Sequence, residues 1–395
     1  MWSRELGGLG HDVLYGVALR QDGGFMAVGS RDRATANGAG KAWAVRLDAL
    51  GYTAAESLIP GRGDDSLRFV GWSALGGWVP GGSQVVDHSA ETGKFTGGYD
   101  RGHAWYVRFD DALKVTWSRT TDVAGAERIL GGSVMKNGDL LAAGDTRTLA
   151  AYSYAPSDKP DALAVRIDGS NGEDSCACGF FQRTDAQAVI GSRLEKVVTW
   201  TDGTAVAAGF QPDSFGEKDG WLQRLATDGT VLWSKGYGKS GDDRLLNLVQ
   251  SGGDIIAVGS TTSAGAGGRD GWIVRADAQG KLLADYTFGG SEDDEFFSVA
   301  VLPDGSLVAA GWSKTAAQGE SDGWLVNFDK TGKLLWEKRW GYKGADEFRA
   351  LLLIGDGKDQ RLMLTGMATL AAGNVASRAW YVVTDFQYVA VIKSH

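Results

Sequence analysis

The sequence predicts an all-β fold, a seven-bladed β-propeller of four-stranded antiparallel blades. Three observations carry this prediction: a strand–turn–strand unit recurs along the chain, one glycine marks the second strand of each copy, and one large apolar residue marks the third. The clearest copy is 322–341, DGWLVNFDKTGKLLWEKRWG. Leu325, Asn327 and Asp329 alternate against Trp324, Val326 and Phe328, the two-residue period of a pleated strand. Lys330-Thr331-Gly332 supplies a turn, because glycine tolerates the positive φ that tight turns require. Residues 334–340 resume the extended chain, and Gly341 opens a loop ending in Ala345-Asp346-Glu347.

The glycine series is Gly29, Gly82, Gly144, Gly209, Gly259, Gly311 and Gly366. The third-strand series is Trp43, Trp105, Leu163, Trp221, Trp272, Trp324 and Trp380. Both count seven units, at a spacing of about 50–65 residues that suits propeller blades. Unit six gives the order: a first strand over 295–302, a Pro303-Asp304-Gly305 turn, a second strand over 306–312, a loop, then the hairpin above. A single blade has two apolar faces and cannot bury both. Ring closure covers each face with a neighbour and removes most open sheet edges. The recurring third-strand aromatic is therefore assigned to packing between blades. Arg46, Arg108, Arg166, Arg224 and Arg275, just after it, are expected to pair with the acidic loop of an adjacent unit. Residues 2–6 match 233–237, so the chain is expected to begin on a fourth-type strand that joins the last blade and closes the ring. Residues 387–393 would then be a surplus strand, and 1–395 is read as one propeller domain.

Composition agrees with this reading. The 59 glycines and 15 tryptophans, against 6 prolines, suit many short strands joined by tight turns, and no long 3.6-residue periodicity appears. The net charge of −9 disfavours a nucleic-acid partner, which needs a basic stripe. No apolar run reaches the length of a membrane span. Cys176 and Cys178 are the only cysteines, so no disulfide framework is expected.

The most regular polar feature is an acidic entry to the first strands: Asp12, Asp64 and Asp65, Glu127, Asp242 and Asp243, Asp293 and Asp294, Asp346 and Glu347, with Ser192 in unit four. Such a ring could bind a cation or a basic segment. Its repetition favours the structural alternative, in which each carboxylate accepts loop amides or pairs with an arginine. Function is better sought where the units differ. The loop between second and third strands is short in units five and six, but expands over 83–102 in unit two and 145–160 in unit three. Long loops on a rigid scaffold are common binding elements. Asp87, His88, Tyr99, Asp100, Arg101 and His103, with Tyr152 and Tyr154, form the candidate binding set, a mixture of aromatic and charged groups typical of recognition surfaces. Gly-x-Ser-x-Gly, His-Glu-x-x-His and P-loop motifs are missing, so no catalytic residue is assigned. No cofactor is expected, although the oxygen-rich 168–174 segment could hold calcium in place of a simple turn.

The consensus D-G-W-x-V-x-x-D-x-x-G-x-L-x-W, then G-x-x-D-D, then D-G-x-x-x-A-x-G, resembles the bacterial seven-bladed β-propeller repeat family (SBBP-like repeats) over nearly the whole chain. Residues 329–336 are also similar to the tryptophan-docking repeat of quinoprotein propellers, whose cofactor residues are not found here. The first resemblance implies a periplasmic, cell-surface or secreted protein, with any export signal outside this chain. The leading expectation is a non-catalytic binding scaffold that engages a protein or glycan partner through the loop-rich face of units two and three. The alternative is a hydrolase or lyase with a carboxylate site, with or without a cation, at the channel mouth. A quinone-dependent dehydrogenase is a third reading.

Overall fold

The computed structural model describes residues 2–8, 10–20, 23–33, 40–49, 51–59, 65–86, 101–121, 125–148, 161–173, 191–355, 360–371 and 376–385. Blade 1 is β2 (His11–Leu19), β3 (Phe25–Arg33), β4 (Lys41–Leu47) and β5 (Thr53–Ile59). Blade 2 is β6 (Ser66–Trp72), β7 (Trp78–Val86), β8 (Arg101–Phe109) and β9 (Val115–Thr121). Blade 3 has three strands among the described residues, β10 (Gly125–Val134), β11 (Leu140–Thr148) and β12 (Asp161–Ile167). Blade 4 is β13 (Arg193–Thr199), β14 (Ala205–Pro212), β15 (Lys218–Leu225) and β16 (Val231–Tyr237). Blade 5 is β17 (Asp243–Ser251), β18 (Asp254–Thr261), β19 (Asp270–Ala276) and β20 (Leu282–Phe288). Blade 6 is β21 (Asp294–Val301), β22 (Leu307–Ser313), β23 (Asp322–Phe328) and β24 (Leu334–Trp340), so the two earlier strands sit within a residue of their expected bounds. Blade 7 is β25 (Glu347–Ile354), β26 (Arg361–Ala368) and β27 (Arg378–Asp385), completed by β1 (Trp2–Leu6). Trp2 pairs antiparallel with Val383, so the amino-terminal strand closes the ring as expected. Residues 387–393 lie outside the described residues.

Seven apolar clusters fill the seven interfaces between blades, and each contains the third-strand marker of the later blade. Trp324, fully buried, joins blade 6 to Ile256, Val258 and Ile273 of blade 5. Leu163 takes the same place between blades 2 and 3. β23 is buried along its whole length, because both faces of the blade are covered, whereas the outer β24 is partly exposed. Alternation along a middle strand thus separates one neighbouring blade from the other, not core from solvent.

The seven marker glycines have one physical cause. Each pairs with a first-strand residue just before a β-bulge, as Gly311 does with Phe296, and a Cβ there would lie 1.8–2.0 Å from a first-strand carbonyl oxygen in all seven blades. The D-G-W triplet divides its work similarly. Asp270 accepts amides from Ala266 and Gly267, and Gly271 leaves room for Phe296 of the next blade. Trp272 fills the space above Gly220 of the preceding one.

The arginine series joins blades in a different way from the expected one. Arg166, Arg224 and Arg275 pair with carboxylates at the first hairpin of their own blade, Asp139, Asp202 and Asp254, at 2.6–2.8 Å. Across the interface, Arg46, Arg108, Arg166, Arg224 and Arg275 donate to backbone carbonyls in the last turn of the next blade, those of Asp111, Gly169, Thr227, Ala278 and Lys330. Blade 6 has Asn327 at this position, bonded within its own blade. Its neighbour explains the exception: the third and fourth strands of blade 7 come from opposite ends of the chain, so no turn joins them. From blade 7 to blade 1 the Tyr381 hydroxyl takes over, donating to the Gly51 carbonyl at 2.6 Å.

Candidate functional site

The topology places first-strand entries and the loops between second and third strands on one face of the ring, opposite the arginine-bound turns. On that face Asp12, Asp65, Glu127, Asp243, Asp294 and Asp346 are all fully buried, with Ser192 at 2 % exposure in blade 4. Asp12 accepts the amides of Gly8 and Asp32 at 2.6 and 2.8 Å. Asp346 accepts those of Tyr342 and Thr369 at 2.5 and 2.7 Å. Asp243 takes hydroxyls from Thr261 and Ser263 as well as the Lys239 amide. These carboxylates fasten one blade's exit to the next blade's entry. Asp242 and Asp293 are more exposed and pair with Lys218 and Lys314 at 2.9 and 3.0 Å, and Glu347 pairs with Arg349 at 2.6 Å. Asp64 lies outside the described residues.

Burial, partly offset by its two amides, pushes the Asp346 carboxyl up to about 6, with Asp322 and Glu347 adding repulsion. Burial also raises Asp12, Asp219, Asp270 and Asp322. A carboxyl whose pKa rises on folding binds protons more tightly in the native state. Its stabilising protonation is absent above the folded value and develops as pH falls through about 6 toward the unfolded 3.8. Guanidinium unfolding at about pH 7.5 and about pH 5 is therefore expected to show Asp346 contributing about 1–2 kcal/mol more stability at the lower pH. In Asp346→Asn that increment should disappear; an unchanged slope in the variant would reject the assignment.

Of the candidate binding residues, Asp87, His88, Tyr99, Asp100, Tyr152 and Tyr154 lie outside the described residues, as do Cys176 and Cys178. Arg101 opens β8, at the foot of the unit-two loop. His103 is buried on the same strand, its Nδ1 3.8 Å from Glu127 Oε2 of blade 3. Asp168 accepts the backbone amide and hydroxyl of Ser170 at 2.7 and 2.5 Å, and Asn171 accepts the Glu173 amide, so these oxygens build a turn. No group of three or more metal-ligating side chains occurs among the described residues, and no helix there is long and apolar enough to cross a membrane.

Two features went unassigned from the sequence. One is Phe215, 87 % exposed at the tip of the β14–β15 loop. Asp213 holds this loop by accepting the amides of Phe215 and Glu217 at 2.8 and 2.9 Å, and Gly216 adopts φ +87°. The signal was available, since an aromatic between Asp-Ser and Gly has no core to enter.

The other is the axial channel, a cavity of about 590 Å³ bounded by the seven innermost strands. Every bulge there turns one extra residue toward the axis: Tyr15, Arg68, Leu130, Glu195, Leu246, Phe297 and Arg349. Arg128 and Arg193 reach the same wall and share buried Asp145, both at 2.6 Å. Burial raises the Glu195 carboxyl, and burial lowers the Lys196 ammonium to about 8.

No family model matches the chain, and no curated protein matches it. Solved structures match over the ring. A structure of Sqt1 from Chaetomium thermophilum shares 13% identity over 95% of this chain and 97% of that one, with a TM-score of 0.52. The Neurospora crassa Pan2 WD40 domain shares 11% identity over 96% and 95%, with a TM-score of 0.51. Puromycin hydrolase shares 16% identity over 90% of this chain and 50% of its own, with a TM-score of 0.53. At these identities the likeness establishes the propeller fold alone, on which a WD40 domain and a hydrolase both occur.

Proposed function

We propose that the protein is a non-catalytic binding scaffold of the bacterial envelope or exterior, engaging a protein or glycan partner through the face that carries the loops between second and third strands. Phe215 carries this reading. A phenylalanine fixed in water by a hydrogen-bonded turn contributes nothing to the core, and rigid exposed aromatics are the anchors of interfaces. The strand ends that bound the unit-two and unit-three expansions, Val86 and Arg101, Thr148 and Asp161, lie on the same face. Asp12, Asp243, Asp294 and Asp346 are engaged by loop amides and hydroxyls, which favours the scaffold over a hydrolase or lyase using them. Envelope placement is supported by the repeat resemblance.

The test is affinity capture from a native envelope extract, with the identified partner then titrated in purified form. Phe215→Ser should weaken binding by about tenfold or more, as loss of an aromatic anchor does. Replacing 84–102 with the short loop of blade 5 should weaken it as well. Undiminished binding by both variants would place the partner elsewhere, and turnover of a captured glycan would favour the hydrolase or lyase.

A further inference from the structure

The axial channel is cationic in a chain whose net charge is −9. Arg68, Arg128, Arg193, Lys196, Arg244 and Arg349 line it, against the carboxylates of Glu195 and Glu295. Asp145, Asp242 and Glu347 behind the wall hold some of these cations and still leave positive charge in excess. Desolvating arginines around a cavity is costly unless their donors are used. Two of them also lie against aromatic rings: the Arg68 guanidinium is 3.9 Å from the Tyr15 ring centroid while its Nε donates to Ser66 at 3.2 Å, and that of Arg349 is 4.0 Å from Phe297 while pairing with Glu347. Arg244 Nε is buried with no hydrogen-bond partner. The Lys196 ammonium donates to the Gly132 carbonyl at 3.3 Å.

The ring scaffold does not require any of this. At the bulge position the seven blades carry Tyr, Arg, Leu, Glu, Leu, Phe and Arg, so chemistry varies while backbone geometry repeats. Guanidinium forks match the paired oxygens of phosphate and carboxylate groups, and the cavity volume is that of a small-molecule site.

We propose that the axial channel binds a small molecule bearing two or more oxyanion groups, phosphate or carboxylate, with Arg68, Arg244 and Lys196 as principal contacts. The channel and the loop face are separate surfaces, and either can fail without the other.

Inorganic pyrophosphate and citrate are suitable probes, titrated calorimetrically into the intact protein at low and physiological salt. One saturable site per chain is expected, weaker at higher salt. Affinity for pyrophosphate alone would identify a phosphoryl ligand, for citrate alone a polycarboxylate, and for both a general polyanion. The Arg68→Ala/Arg244→Ala double variant should bind about tenfold or more weakly. Should that variant not fold, the native chain still decides. Acetylation of Lys196 by an amine-reactive ester, followed by mass spectrometry, should slow when the probe is bound, while exposed Lys281 and Lys330 should react unchanged. Absence of saturable binding by either probe, or binding that neither protects Lys196 nor weakens in a folded double variant, would overturn the assignment.

Discussion

Trp324→Ala is expected to destabilise the ring by about 3–5 kcal/mol, the range for truncating a fully buried large aromatic. Trp324 is 0 % exposed and stacks on Phe296 with ring centroids 4.6 Å apart and planes 13° apart. Its indole N–H donates to Glu337 on the outer strand at 3.1 Å. The substitution would leave a cavity against blade 5, and neither blade can collapse into it without moving Phe296, which itself sits over Gly271. Guanidinium unfolding should show a lower midpoint with an unchanged slope. Trp324→Phe should recover much of the loss by keeping the stack. A cost below about 1 kcal/mol for the alanine variant would mean that this interface is not held by its aromatic core.

Gly311→Ala should be nearly as damaging, with a sign opposite to backbone propensity. Alanine in a strand interior is ordinarily favoured over glycine by about 0.5–1 kcal/mol. At Gly311 the added Cβ would lie 1.8 Å from the Glu295 carbonyl oxygen and 2.8 Å from the Phe296 Cα. Both obstacles are backbone, so no rotamer change relieves them, and the strands must separate at the bulge between Phe296 and Ser298. The expected cost is about 3 kcal/mol or more. Gly236→Ala is the matched control, since its Cβ would approach nothing nearer than 3.3 Å, the far end of Gln211. Equal stabilities of the two variants would refute the steric account of the repeat.

These two substitutions also show why the fold was legible in the sequence. A residue forced by backbone contact, such as Gly311, or by an interface between blades, such as Trp324, must recur in every unit, and recurrence is visible without coordinates. The channel was not legible for the converse reason. Arg68 and Arg349 follow the glycine-paired residue, where the bulge breaks the two-residue alternation and turns a side chain toward the axis. Counting by twos assigns them to a blade face. Nor did the arginine series reveal its partners, because a carbonyl in the next blade's turn leaves no mark on side-chain identity. Phe215 sits in the short β14–β15 loop, where loop length gives no sign of a binding element. Within the repeats, sameness records the scaffold and difference at an equivalent position records what the scaffold is for.

The pairing of Trp2 with Val383 gives the molecule a direction in time as well as a closed shape. Strands of blades 1, 2, 4, 5 and 6 pair with sequence neighbours, so those sheets can assemble as the polypeptide is made. Blade 7 cannot, because its outermost strand, β1, precedes all the other described strands and its partner, β27, follows them. Among the described strands, β1 and β27 are the sheet partners farthest apart in sequence, so completing blade 7 needs the longest-range pairing in the ring, the kind that the dependence of rate on contact order makes slow.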